Sequence, residues 1–175
     1  MSVFTDLDDH ARADLDTILT DVLSSVLAEE AIATNNQLPQ GPLAVARLAI
    51  HDQLADGYAV VEVRAGVSLA RVIAARMMSV ASPAPEDIVD AVAELGNIAG
   101  GNVKTLLCHH ARLSLPTSEI TEQAPFAEPE PHDGGAYVRA MVLGHVAQLA
   151  IRPDAAIDGL IWPPSSPDEI LERSP

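Results

Sequence analysis

The chain has 175 residues, 48% of them apolar and 20% charged, which suits one globular domain with a sizeable core and excludes disorder throughout. Aromatic residues make up only 3%, so the core must be built from Ala, Val, Leu and Ile, and base-stacking platforms are excluded. A formal net charge of −15 leaves no basic stripe for a phosphate backbone or an anionic membrane, so neither nucleic acid nor membrane is an expected partner.

The opening MSVFTDLDD lacks the basic and apolar regions of a leader, and no apolar run reaches the ~20 residues of a membrane span. A cytoplasmic protein is expected. Cys108 is the single cysteine, so no intramolecular disulfide can form, which agrees with a reducing compartment.

In chain order, a helix is expected over about 5–33. Asp6, Asp8 and Asp9 crowd its positive dipole end, and Leu15, Ile18, Leu19, Val22 and Val26 recur at helical spacing. NNQLPQGP ends it with turn chemistry. Strands over Val45 to Ile50 and Tyr58 to Val63, with Asp56-Gly57 between them, predict an antiparallel hairpin. VSLARVIAARMMSV is a second helix with Ser68 as candidate cap, and Ser82-Pro83-Ala84-Pro85 breaks the chain. Pro85, Glu86 and Asp87 then form a good first turn for a third helix over about 85–107. A strand is expected over Arg112 to Leu115. Thr117 to Gly135, rich in proline and glutamate, reads as a long exposed loop. Ala136 to Ile151 reads as two strands turning near Gly144-His145, an unbroken helix being the competing reading. Trp162 closes a core edge, and residues 163–175 are an extended tail behind a single domain of residues 1–162.

The third helix holds the chemistry. Each residue advances about 100°, which puts Ile88, Val92, Leu95, Ala99, Asn102 and Leu106 on a side expected to face the core. Asp90, Glu94 and Asn97 share a sector of about 60° on the opposite side, and Gly101 projects onto the same stripe. Gly96, Gly100 and Gly101 each weaken a helix by about 1 kcal/mol relative to Ala, so close approach by another backbone is their expected use. Gly96 and Gly100 suit packing against a strand or helix, and Gly101 suits a partner. Cys108-His109-His110 does not make a metal site, because adjacent residues project apart and no second ligand cluster has matching spacing. No phosphate loop opens a helix and no nucleophile elbow is present.

The pattern Asp90-x3-Glu94-x2-Asn97, with Gly101-Asn102 and Lys104 in ELGNIAGGNVK and the later Ser114-Leu115-Pro116-Thr117, resembles the signature of the CheC/CheX/FliY chemotaxis phosphatases. A single copy of the motif is closest to CheX-like members. The resemblance implies an α/β fold (α+β), a largely antiparallel sheet with long helices packed on one face. It implies a phosphatase for a phosphorylated CheY-like response regulator, with Glu94 and Asn97 inserted into the regulator's active site, Asn97 orienting the attacking water and Glu94 pairing with the regulator's lysine. Asp90 and Gly101 are the implied partner contacts. No cofactor or metal is expected on this chain; the Mg2+ belongs to the regulator. A homodimer is one implied assembly. A non-catalytic adaptor docking a regulator or a flagellar-switch-like partner through the same helix is the alternative.

Overall fold

The computed structural model describes residues 7–54, 56–107, 109–122, 135–153 and 161–163. Helix α1 runs over Asp9–Leu27, shorter than the sequence suggested: Asp8 caps it by accepting from the Ala11 N–H at 2.9 Å, and Ala28, at φ 54°, ends it in a left-handed conformation. Strand β1, Ile32–Ala33, occupies the end of the stretch expected to be helical. Strands β2, Leu43–Asp52, and β3, Gly57–Gly66, form the expected hairpin, in register from Leu43 opposite Gly66 to Asp52 opposite Gly57. Asp56 takes the positive φ of the turn, 51°.

Helix α2, Val67–Met78, follows β3 directly. Its cap position is Gly66 with no side-chain hydrogen bond, so Ser68 lies inside the first turn and is not the cap. Helix α3, Pro85–Leu107, has the bounds expected from sequence and passes through Gly100-Gly101 unbroken. Strand β4, Ala111–Leu113, and β5, Thr117–Thr121, then lie end to end along the outer edge of β2. At the junction, Ser114 N–H donates to Ala49 O at 3.0 Å and Ser114 Oγ accepts from Ala49 N–H at 2.9 Å. The side chain thus keeps the ladder satisfied just before Pro116, which has no N–H to give. Thr117–Thr121 is therefore strand and not loop; the rest of that expected loop lies mostly outside the described residues. Strands β6, Ala136–Val142, and β7, His145–Pro153, turn through Leu143 at φ 51° and Gly144 at φ 76°. Two successive positive φ angles match a tight hairpin of right-handed twist, and the single-helix alternative is excluded.

The seven strands pair antiparallel in the order β1-β6-β7-β3-β2-β4, with β5 also on β2. Alternate residues on one face, Ala44, Ala46, Leu48 and Ile50 of β2, Val61 and Val63 of β3, Val138 of β6 and Leu149 of β7, join the buried sides of all three helices in one apolar core. Long helices on one face of an antiparallel sheet were the expected fold. On the other face, buried Glu62 accepts from Arg47 Nε at 2.8 Å and Arg64 Nε at 2.5 Å, with Arg152 Nη2 at 3.6 Å. This ionic cluster spans β2, β3 and β7. Trp162 meets the stacked rings of His51 and Tyr58 edge-on at 6.2 and 6.4 Å, while Leu115 N–H donates to Ile161 O at 2.7 Å. Trp162 was expected to close an edge of the core; it packs instead on His51 and half-exposed Tyr58, on the face of the sheet away from the helices, because alternate residues of β2 and β3 point to opposite faces. Residues 164–175 of the expected tail are not among the described ones.

Candidate functional site

The chain fixes α3 firmly before asking anything of its open face. Asp87 Oδ2 reaches back to accept from the Ala84 N–H at 2.7 Å, half of a capping box, and Glu86 and Asp87 lie at the positive end of the helix dipole. Ile88, Ala91, Val92, Leu95, Ala99 and Val103 are buried. Gly96 and Gly100 face β2 so closely that an added Cβ would stand 2.8 Å from Ala46 Cβ and 2.6 Å from Leu48 Cδ1. The strand approach expected of these two glycines is present, and it sets the depth at which α3 lies on the sheet.

With the helix so rotated, Asp90, Glu94 and Asn97 are exposed and Gly101 is half-buried on the same stripe. Glu94 and Asn97 are separated by about 4.5 Å along the axis at 1.5 Å per residue. No hydrogen bond or ion pair occupies Asp90, Glu94 or Asn97 among the described residues. A Cβ on Gly101 would meet nothing within 4 Å, so the stripe has a bare notch one turn past Asn97. The arrangement is convex: two carboxylates and an amide stand out from a rigid rod.

Asn102 and Leu106 depart from the expected core side. Asn102 is exposed and its Nδ2 donates to Ile98 O of its own helix at 3.1 Å; Leu106 is 49% exposed, and Val103 takes the core position. The contrast between the two asparagines is informative. Asn102 spends its amide locally, whereas Asn97 has both a donor and an acceptor unengaged among the described residues.

Sequence reasoning passed over the cleft between α1 and α3, which is lined by Thr17, Ile18 and Asp21 of α1 and Asn102, Thr105 and Leu106 of α3. Its only signal was Leu106, which helical spacing assigned to the core. Among the described residues no group of three or more His, Cys, Asp or Glu could hold a metal ion; His109 and His110 are exposed, and Cys108 lies outside the described residues. No helix among the described residues is long and apolar enough to cross a membrane.

A family model described as chemotaxis phosphatase CheX matches residues 46–134, a span that contains the whole stripe. No curated protein matches the chain. Among solved structures, the chain is similar to the chemotaxis protein CheX of Vibrio vulnificus at 14% identity and TM-score 0.64, covering 81% of this chain and 97% of that one. It is similar to the structure of a CheX-CheY-BeF3-Mg2+ complex from Borrelia burgdorferi at 14% identity and TM-score 0.61, covering 82% and 97%. FliY of Thermotoga maritima aligns at 18% identity and TM-score 0.57, covering 85% and 88%.

Proposed function

The chain belongs to the CheX family of chemotaxis phosphatases, and we propose that it dephosphorylates a CheY-like response regulator by inserting Glu94 and Asn97 into the regulator's phosphorylated site. The observation that carries this reading is the exposed, unengaged amide of Asn97 one turn from exposed Glu94, on a helix locked in place on its other side.

An aspartyl phosphate is an activated acyl phosphate, and its hydrolysis lacks only an oriented nucleophile. The water oxygen bonds to phosphorus while the P–O bond to the aspartyl carboxyl breaks, its electron pair returning to the carboxylate. The water's protons leave with the phosphate and to solvent. An amide that accepts from the water with its oxygen and donates with its nitrogen can hold that water in line without titrating. Positioning and electrostatics supply most of what phosphoryl transfer needs. Glu94 pairs with a cationic group beside the phosphoryl group and sets the depth of insertion; Asp90 contacts the rim, and Gly101 lets the regulator's backbone come close. On this reading any Mg2+ would be held by the regulator, where it would supply charge neutralisation, and the residues of this chain would supply positioning alone. The complex of a similar fold with CheY, BeF3 and Mg2+ supports a CheY-like regulator as the partner.

The test follows the decay of a phosphorylated CheY-like regulator with and without the protein. Wild type accelerates decay, and Asn97→Ala loses ~10²-fold or more, as loss of a positioning group should. Glu94→Ala weakens both binding and rate. Binding with unchanged decay would replace the phosphatase by an adaptor.

A further inference from the structure

One charged residue of α3 has no task in the site so far. Lys104 is the single lysine of the chain and the one cation on α3, in a protein whose formal net charge is −15. Five arginines serve the fold: Arg47, Arg64 and Arg152 meet Glu62, Arg139 Nε donates to Gln148 Oε1 at 3.4 Å, and Arg112 Nη2 donates to Pro163 O at 2.7 Å. Lys104 makes no hydrogen bond or ion pair among the described residues.

Its position on the helix is specific. Lys104 follows Asn97 by seven positions, two turns less about 20°, so the two share a face; it lies about 40° from Asp90 and about 80° from Glu94. Along the axis it stands about 10.5 Å beyond Asn97 and about 21 Å beyond Asp90, at 1.5 Å per residue. A partner patch of ordinary size, about 800 Å², reaches about 16 Å from its centre, so one seated over Asn97 covers Lys104 on the same face. Charge along this face has a direction, with Asp90 and Glu94 before Asn97 and Lys104 after it. Lys104 is half-buried, so pairing costs it less side-chain freedom than a fully exposed lysine would lose. In the last turn it also lies at the negative end of the helix dipole, a structural use that any cation in that turn would serve.

We propose that Lys104 is a specificity-determining contact of the dephosphorylation reaction, pairing with a carboxylate on the regulator's surface outside its phosphoryl site. The four-carbon stem of a lysine spans about one helical turn, and two turns separate Lys104 from Asn97, so the counter-charge is not the phosphoryl group. An ammonium is a compact point charge with donors and no acceptor, and its natural partner is a carboxylate. A regulator docked in one sense puts its own cations on Asp90 and Glu94 and its carboxylate on Lys104. Docked in the opposite sense, it meets like charge at both ends. The pair thus selects among regulators and fixes the orientation in which Asn97 meets the phosphoryl group. The proposal rests on the phosphatase reading and deepens it by naming what the partner must carry.

The experiment measures steady-state dephosphorylation of a phosphorylated CheY-like regulator, and thermal unfolding of the protein alone, for wild type and three variants at low and high salt. Lys104→Ala should raise the half-saturating concentration about 3-fold and Lys104→Glu about 10-fold or more, with kcat within about 2-fold of wild type. Lys104→Arg keeps the charge and should stay within about 2-fold in both. The spread among the variants should collapse between about 0.05 and 0.5 M salt, because a partly exposed pair is screened. If wild type is active and all three variants saturate as it does, the phosphatase stands and Lys104 is not a contact. A lower Tm with unchanged half-saturation would assign Lys104 to the helix dipole and overturn the proposal. Loss of kcat in Lys104→Glu at unchanged half-saturation would place it in the chemistry and overturn the proposal too. If wild type neither binds nor accelerates decay for any regulator of the same genome, the parent reading fails and the contact falls with it.

Discussion

Glycine serves opposite purposes on the two faces of α3. On the buried face, an added Cβ would press into Ala46 from Gly96 and into Leu48 from Gly100; on the open face, one added to Gly101 would meet nothing within 4 Å. All three cost about the same in helix propensity, roughly 1 kcal/mol each relative to Ala. The buried pair recovers that cost as close packing against β2. Gly101 recovers none of it among the described residues, and its proposed use is contact with the regulator. The difference separates what the fold requires of this helix from what function requires.

The largest expected effect tests the buried side. Leu48 is fully buried, and Leu48→Ala should cost about 2–5 kcal/mol in chemical denaturation. Gly100→Ala alone should destabilise, because the new methyl has Leu48 in its way at 2.6 Å; in the Leu48→Ala background the same change should stabilise, filling space and improving propensity. A coupling of about 1–3 kcal/mol between the two sites is expected. Additive effects would mean that Leu48 does not set the depth of α3.

A smaller effect is expected at Gly96. Its obstacle is Ala46 Cβ, which has no rotamer to change, so the helix itself must move outward. Overpacking of this kind costs about 1–3 kcal/mol, set against about 1 kcal/mol gained in propensity, and Gly96→Ala should be net destabilising by up to roughly 2 kcal/mol. It should also lower phosphatase activity at saturating regulator, since any tilt of α3 moves Asn97. A variant destabilised in denaturant but with unchanged kcat would show that the two faces are mechanically independent.

Much of this was legible in the residues. Pro85 with the acidic first turn marked where α3 begins, and its period separated Ile88, Val92, Leu95 and Ala99 from Asp90, Glu94 and Asn97 correctly, because rotation per residue is a property of the chain alone. Asn102 and Leu106 were misplaced because azimuth says nothing of where a neighbouring helix ceases to cover. Thr117–Thr121 was hidden for a different reason. TSEIT is a strand that, among the described residues, pairs only with β2; it is half exposed, and its Thr, Ser and Glu resemble the acidic sequence that follows. Ile120, partly buried against the core, was its one apolar signal. The cluster of Glu62 with Arg47, Arg64 and Arg152 depends on pairing register across three strands, which no local pattern encodes.

The smallest change should be the most telling. Gly101→Ala adds one methyl in open space, so the helix should gain about 1 kcal/mol, a rise in Tm of about 2–4 °C for a chain of this size. Nothing among the described residues opposes it. If a regulator's backbone does enter the notch beside Asn97, the methyl occupies the space it needs, and the half-saturating concentration should rise about 3- to 10-fold while stability improves. Stability and binding would then move in opposite directions from a single methyl group, which a purely structural role for Gly101 cannot produce. A more stable variant that binds and turns over as wild type does would remove Gly101 from the interface and leave the docking of the regulator to Asp90, Glu94 and Lys104.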